Sequence, residues 1–394
     1  MTERAIDSDQ TGRIRVIAAG PQSLVQDGGR TGFQKLGVSV SGAADMDALN
    51  IGNRLVGNDP YDAAVEILLG GAEFEFEAAA TFALTGAETG ATLDGVPLVS
   101  NVSYSAHTAA RLVLEMPIPG QGLRTYLAVA GGIKTPPILG SRSTHVASEI
   151  GGVGGRALEP GDVLKIGEIL VPAVSGKMFN SGDSSANDSE LPAVNVRVVL
   201  GPQDDEFSAA GIRTFLDSTY AVTDQSNRQG LRLDGPVIES RTGSYDIVSD
   251  AVVNGSVQVP GDGKPIVLLA DRQPTGGYAK IATVITVDLP KLGQTAPGTK
   301  ITFAPISVEE SQQLLRGRSN RLLKPELGQA VDTFSVQVDD LHVSIGVTED
   351  EVGRRDLITR IARINDVAYP ISAVKYTLAE LGRFVRIGHR IRHR

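Results

Sequence analysis

Asp271, Arg272, Gln273, Pro274, Thr275, Gly276, Gly277, Tyr278, Ala279 and Lys280 form one continuous segment. It carries an acid, two bases, an amide and a phenol between two apolar runs. A guanidinium and an ammonium can hold a carboxylate or a phosphate, and a carboxylate can orient or deprotonate an amide. Proline stiffens such a segment and the glycine pair frees it. The flanking runs, Pro265 to Ala270 and Ile281 to Leu289, read as buried strands. An ordinary hairpin with a charged tip would also fit, but the number of distinct groups favours a site held on a scaffold.

Three further clusters carry chemistry of the same kind. Gln203, Asp204 and Asp205 follow an apolar run ending at Leu200, and adjacent carboxylates there need a cation, a ligand or solvent. Gln225 to Arg232 is dense in amide, hydroxyl and guanidinium groups, Arg228 among them, and can clamp a small polar ligand or stand as a solvated loop. Gly140 to Thr144 sets Arg142 among three hydroxyls, which suits an anion.

Other chemistries find little support. The sequence has no cysteine, which excludes disulfides, thiolate nucleophiles and Cys-ligated metals. Its five histidines are scattered without an HExxH pattern, so no metal site is expected. No phosphate-loop motif occurs, and Gly151 to Arg156 lacks the strand–turn–helix setting of a dinucleotide fingerprint and reads as a loop.

The elements that must position these groups are mostly strands. Apolar or alternating runs occur at Ile14 to Ile17, Phe74 to Glu77, Thr81 to Leu84, Arg111 to Glu115, Thr125 to Ala130 and Val196 to Leu200, and Asp94-Gly95 reads as a hairpin turn. A helix is expected from about Ala44 to Val56, stopped by Gly57-Asn58. Ser307 to Glu310 has the form of a capping box opening a helix through Leu315. Pro172 to Pro192 reads as an exposed linker. Arg13 to Gln22 and Asn195 to Gln203 each run from a basic strand into Gly-Pro-Gln, which suggests two similar β units. Phe334 to Val347 reads as a hairpin around Asp339-Asp340. The spacing of Leu357, Ile358, Ile361, Ile364 and Val367 predicts a helix, and a basic amphipathic helix is expected at the end.

Composition agrees with a β-rich globular enzyme. The chain has 394 residues, enough for two or three domains, with 41% hydrophobic but only 5% aromatic content, so branched aliphatic residues must fill the core. A net charge of −9 argues against nucleic acid as a partner. From Arg354 onward ten basic residues face three acidic ones, a local +7, which leaves −16 for the rest. No run approaches the roughly 18 apolar residues of a membrane span, and the first residues lack a signal-peptide core. A cytoplasmic location is the expectation.

At these residues the sequence resembles the biotin-dependent carboxyltransferase family, which includes the C-type subunit of 5-oxoprolinase and allophanate hydrolase subunit 2. The matching stretches are Gln26 to Gly32, Gly37 to Asp45, Gly57-Asn58, Ala64 to Gly71, Gly131 to Thr144, Gly201 to Asp205, Gln225 to Gly235, Asp246 to Ser249 and Gln258 to Asp288. Gly28, Pro274, Ala279 and Asp250-Ala251 depart from the family pattern.

The resemblance implies a mainly β fold of two cyclophilin-like β-barrel subdomains, residues 13–194 with the linker and 195–316. A small α+β extension, residues 317–394, has no recognised counterpart. It also implies two partners, a smaller B-type subunit of the same system and an A-type hydrolase subunit. The implied activity is ATP-dependent opening of the lactam 5-oxoproline to glutamate, with ATP acting through the complex. Two alternatives stand beside it: a carboxyltransferase acting on a urea-like amide with biotin carried on another chain, and a regulatory protein antagonising a kinase inhibitor. Residues and resemblance together nominate Asp271, Lys280 and Asp204 for catalysis. Arg142, Gln203, Asp205, Arg228, Arg272, Gln273 and Tyr278 are nominated for substrate binding.

Overall fold

Alternation sets the first layer of structure. In Ala72–Phe76 the rings of Phe74 and Phe76 turn inward while Glu73 and Glu75 turn out to Arg111, at 3.0 and 3.4 Å. The computed structural model describes residues 12–117, 120–169, 175–179 and 193–323, with five short strands between 327 and 370 defined by their backbone. Strands dominate it throughout.

Two seven-stranded sheets form the first half. One is built around Arg13–Ala19, which pairs antiparallel with Val163–Ile166 and Ala72–Phe76. The other is built around Arg124–Val129, buried at every residue and flanked by Ala64–Leu68 and Ala80–Gly86. Ile14, Val16, Phe74 and Phe76 of the first sheet pack against Val65, Ile67, Phe82, Leu84, Leu127 and Val129 of the second. The Phe76 and Phe82 rings lie 5.1 Å apart, within the range where aromatic edges and faces attract.

Helix α1 (Met46–Leu55) covers the other face of the second sheet, burying Ala48, Leu49 and Leu55 with Ala83, Tyr126 and Ala128. It lies where the sequence places it. Asp45 caps it by accepting the Asp47 and Ala48 N–H groups at 3.0 Å. The turn at Asp94-Gly95 has φ of 51° and 80°, the mirror-image geometry that two-residue hairpins require.

A closed seven-stranded barrel forms the second half. Val194–Leu200 and Lys300–Pro305 close it as a parallel pair, and the remaining pairings are antiparallel. Val196, Val198, Val257, Val267, Ile281 and Ile301 fill it. Helix α2 (Ala209–Asp217) adds Phe215, which stacks on Phe303 at 4.5 Å. Outside the barrel a two-stranded ribbon joins Asp246–Ala251 to Thr275–Tyr278, and it is largely exposed.

Several expectations change. Thr275–Tyr278 is a strand of the ribbon and not loop, because its glycines still offer a backbone that Asp246–Ala251 can pair. The run from Ile281 is strand only to Val284; Thr286–Asp288 tightens into a 3-10 turn and α3 (Leu289–Gly293) follows, with Pro290 near its start where a missing N–H costs nothing. The capping box forms as read, Ser307 and Glu310 bonding reciprocally, but α4 runs from Val308 to Leu323.

The hairpin of Asp332–Val338 with Leu341–Val347 is present. The helix expected over 357–367 gives way to paired strands, Ile361–Ile364 and Val367–Pro370. The β-branched Ile361, Ile364 and Val367 favour extended backbone over helix. Most of the linker expected at 172–192 and all of the basic C-terminal helix lie outside the described residues, although Met178–Phe179 within the former pairs as a strand.

Candidate functional site

Glu66 is a charged residue at the middle of the most buried sheet, on Ala64–Leu68, paired on one side with Leu24 and on the other with Tyr126. A carboxylate there is costly unless every lone pair is engaged. Its Oε2 accepts the Ala44 N–H at 2.9 Å and the Tyr126 hydroxyl at 2.7 Å. Its Oε1 accepts Nη1 of Arg228 and lies 3.5 Å from Nε of Arg124. Arg228 comes from the barrel half, so this ion pair crosses between the two halves.

Every nitrogen of the Arg228 guanidinium has an acceptor. Nε donates to Asp271 Oδ2 at 2.8 Å and Nη2 to Oδ1 at 3.0 Å, the two-pronged geometry that suits a carboxylate. Nη2 also donates to the Gly42 carbonyl. The backbone fixes the same pair, with Asp271 N–H donating to the Arg228 carbonyl at 2.9 Å. Burial pulls the guanidinium down, Asp271 and then Glu66 push it up, and it ends above its ordinary value. Burial first, and then the Glu66 and Asp45 charges, hold the Tyr126 hydroxyl well above its usual range.

The loop before α1 meets this centre from the other side. Ser41 Oγ lies 2.7 Å from Asp271 Oδ1 and 3.0 Å from the Thr144 carbonyl, and Ser39 Oγ donates to the Arg272 carbonyl at 2.9 Å. His145 Nε2 lies 3.4 Å from the Asp271 carbonyl. Ser41 holds φ at 56°, a left-handed conformation that costs a serine on the order of 1 kcal/mol and persists only where its surroundings insist. Asp45 extends the network: Gln294 Nε2 donates to it at 2.8 Å, and burial raises its carboxyl to about 6.

A second centre lies on the barrel. Lys280 is only 2% exposed, yet its ammonium donates at 2.7 Å to Asp250 on the exposed ribbon, whose side chain is 50% exposed. Gln203 serves both, its Nε2 donating to Asp250 at 3.3 Å and its Oε1 accepting the Lys280 N–H at 3.2 Å. Hydrogen bonding to Lys280 lowers the Asp250 carboxyl below its usual value.

Asp271, Arg228 and Arg272 therefore lie together at the contact between the halves, and Lys280 with Gln203 at the ribbon. Asp204 is half-buried in a 3-10 turn, and among the described residues no side chain engages its carboxylate. Asp205, Gln273 and Tyr278 are exposed and join neither centre. Arg142 gives its guanidinium to the Thr135 carbonyl and its N–H to Asp27. Arg272 is buried with contacts to the Val252 and Leu269 carbonyls at 3.4 and 3.5 Å, and burial lowers it.

Sequence reasoning missed Glu66, Ser41, Asp45, Tyr126 and His145. A lone acid inside the run Ala64-Val65-Glu66-Ile67-Leu68 was the available signal, because an acid in a buried strand demands a partner.

Residues 36–305 match the family model described as the carboxyltransferase domain, subdomains A and B. The chain belongs to this carboxyltransferase domain family. It is similar to the C-type subunit of 5-oxoprolinase from Escherichia coli, 41% identical over 76% of this chain and 93% of that one. The protein of the same name from Haemophilus influenzae is 32% identical over 81% of this chain and 99% of that one. Among solved structures, the urea amidolyase of Kluyveromyces lactis shares the family fold with a TM-score of 0.74 at 23% identity, covering 98% of this chain and 27% of that one. Both centres draw on residues within the matched span. Among the described residues no helix is long and apolar enough to cross a membrane.

Proposed function

We propose that the chain is one component of an ATP-dependent 5-oxoprolinase complex that opens the lactam 5-oxoproline to glutamate. The identity with the E. coli protein across nearly its whole length carries this reading. A lactam is a poor electrophile, so its oxygen needs cations while charge develops on it, and phosphorylation from ATP to become a leaving group. Arg272 and Lys280 are the cations suited to this: one has no carboxylate partner among the described residues, and the other is held by a half-exposed one. Asp271 already accepts three hydrogen bonds, so its part is to hold Arg228 and Ser41. Asp204 is the freer carboxylate for moving a proton. ATP enters through the complex, whose other members are a smaller B-type subunit, joined in the cytoplasm by an A-type hydrolase subunit.

A second reading, transfer of a carboxyl group to a urea-like amide with biotin on another chain, is favoured by the description of the family model and by relatives named urea amidolyase that are 30% and 31% identical over 76% of this chain. Co-expression with the partner subunits separates the two. The expected result is ATP turnover with 5-oxoproline and none with bicarbonate and urea; the reverse would overturn the first reading. Lys280→Ala in the complex should lower kcat/KM at least about tenfold, and a value within about threefold of wild type would remove Lys280 from the site.

A further inference from the structure

Among the described residues four arginines are buried, and they divide into two kinds. Arg124 and Arg228 face Glu66 or Asp271 at ion-pair distance, whereas Arg30 and Arg272 face no carboxylate that closely among the described residues. Arg30 is the deepest, 1% exposed. Its Nη2 donates to the Ser143 carbonyl, and its Nε and Nη1 have no hydrogen-bond partner. A buried guanidinium with two idle nitrogens is expensive, because each unmet donor has given up water without a replacement.

The neighbouring charges do not meet that need. Asp27 and Asp271 act on Arg30 through space, but their oxygens are engaged elsewhere. Asp27 accepts from Gly29, Ser141, Ser143 and the Arg142 N–H, and Asp271 from Arg228 and Ser41. Burial lowers the Arg30 guanidinium despite both. The next carbonyl along the same segment holds a group with an idle acceptor: Gln26 Nε2 donates to the Thr144 carbonyl at 2.9 Å while its Oε1 has no partner. Arg30 and Gln26 thus anchor on adjacent carbonyls, 143 and 144, and leave unmatched donors on one and an unmatched acceptor on the other.

We propose that Arg30 and Gln26 form a subsite for a small ligand bearing a carboxylate next to an N–H, the carboxylate on Arg30 and the N–H on Gln26 Oε1. The subsite deepens the lactam reading and rests on it for the identity of the natural ligand, because 5-oxoproline carries its carboxylate and its ring N–H on the same carbon. Urea has no carboxylate for Arg30. Entry requires the glycine-rich segment after Glu149 to lift. Gly151 lies directly over the guanidinium, where even a Cβ would stand 2.8 Å from Nη2 and 2.0 Å from the Ser143 carbonyl oxygen.

The test is calorimetric titration of the full chain in its co-expressed complex with four probes: 5-oxoproline, 2-pyrrolidinone, N-acetylglycine and urea. 2-Pyrrolidinone keeps the lactam and lacks the carboxylate, while N-acetylglycine keeps the carboxylate and N–H without the ring. Wild type should bind 5-oxoproline about thirtyfold or more tighter than 2-pyrrolidinone, the loss expected when a buried charge goes unmet. Arg30→Gln should erase that preference, and Gln26→Leu should weaken 5-oxoproline about tenfold. Equal binding of 5-oxoproline and 2-pyrrolidinone by wild type would overturn the subsite without any variant, so a folding defect in Arg30→Gln does not protect it. The two ideas fail separately. Turnover of 5-oxoproline with affinity indifferent to Arg30 sinks the subsite alone; Arg30-dependent binding of N-acetylglycine with turnover only of urea sinks the lactam reading alone.

Discussion

The two charged centres spend their burial differently. Around Arg228 both carboxylates and the cation are enclosed, and each guanidinium nitrogen meets an acceptor. Around Lys280 the cation is enclosed but its carboxylate stands half in water, on a ribbon where Val248 is 93% exposed. Both carboxylates of the first pairing are locked, and removing one leaves an uncompensated charge in a protein interior. The second can exchange its carboxylate for another anion at little cost, because water already solvates the one it has. The first centre fixes how the halves meet; the second is suited to handing its cation to a ligand.

The largest effect that would break this contrast is on stability. Glu66→Gln should cost about 3–5 kcal/mol in denaturant unfolding, the usual penalty for stripping one partner from a buried ion pair. A loss below about 1 kcal/mol would mean that the Arg228 network is not the enclosed knot described.

A pH effect should come next. Asp45 titrates at about 6 in the fold and near 3.8 in its ordinary state, so the folded chain binds this proton more tightly than the unfolded one. Its contribution is therefore most favourable below about pH 4 and is lost as pH rises through about 6, by roughly 2–3 kcal/mol. Asn at this position still caps a helix, so Asp45→Asn should flatten that part of the stability–pH curve while α1 survives. Unfolding midpoints between pH 4 and 8 give the comparison, and parallel curves for the two proteins would refute it.

The smallest effect sharpens the second centre. Asp250→Asn should shift the denaturant unfolding midpoint far less than Glu66→Gln does, because the Asp250 carboxylate stands half in water and an asparagine oxygen can still accept from the Lys280 ammonium. A loss as large as that of Glu66→Gln would erase the distinction between the centres.

The sequence showed much of this architecture and little of the network. Alternation in Phe74-Glu75-Phe76, the Asp94-Gly95 turn, α1 and the capping box at Ser307 are local, each set by residues within a few positions of one another. The Arg228 knot is not local: Gly42, Glu66, Arg228 and Asp271 are separated by up to 229 positions, and no periodicity connects them. Arg228 and Asp271 were legible as charged groups in polar segments, but their mutual saturation was not. Gly276-Gly277 misled in the other direction, because glycine marks turns and yet here pairs in a strand. The helix read over 357–367 failed where apolar spacing at three and four coincided with β-branched residues that pair as antiparallel strands.

The central strand Ala64–Leu68 is made early in synthesis, and the residues that neutralise Glu66 come from opposite ends of that process. Tyr126 and Arg124 leave the ribosome some sixty positions after it, Arg228 more than 160 positions after it. A nascent first half can collapse around its own sheets, but its middle carries a carboxylate still waiting for the barrel. Completion of the barrel is then the event that seals the first half, and the second half acts as its last folding partner.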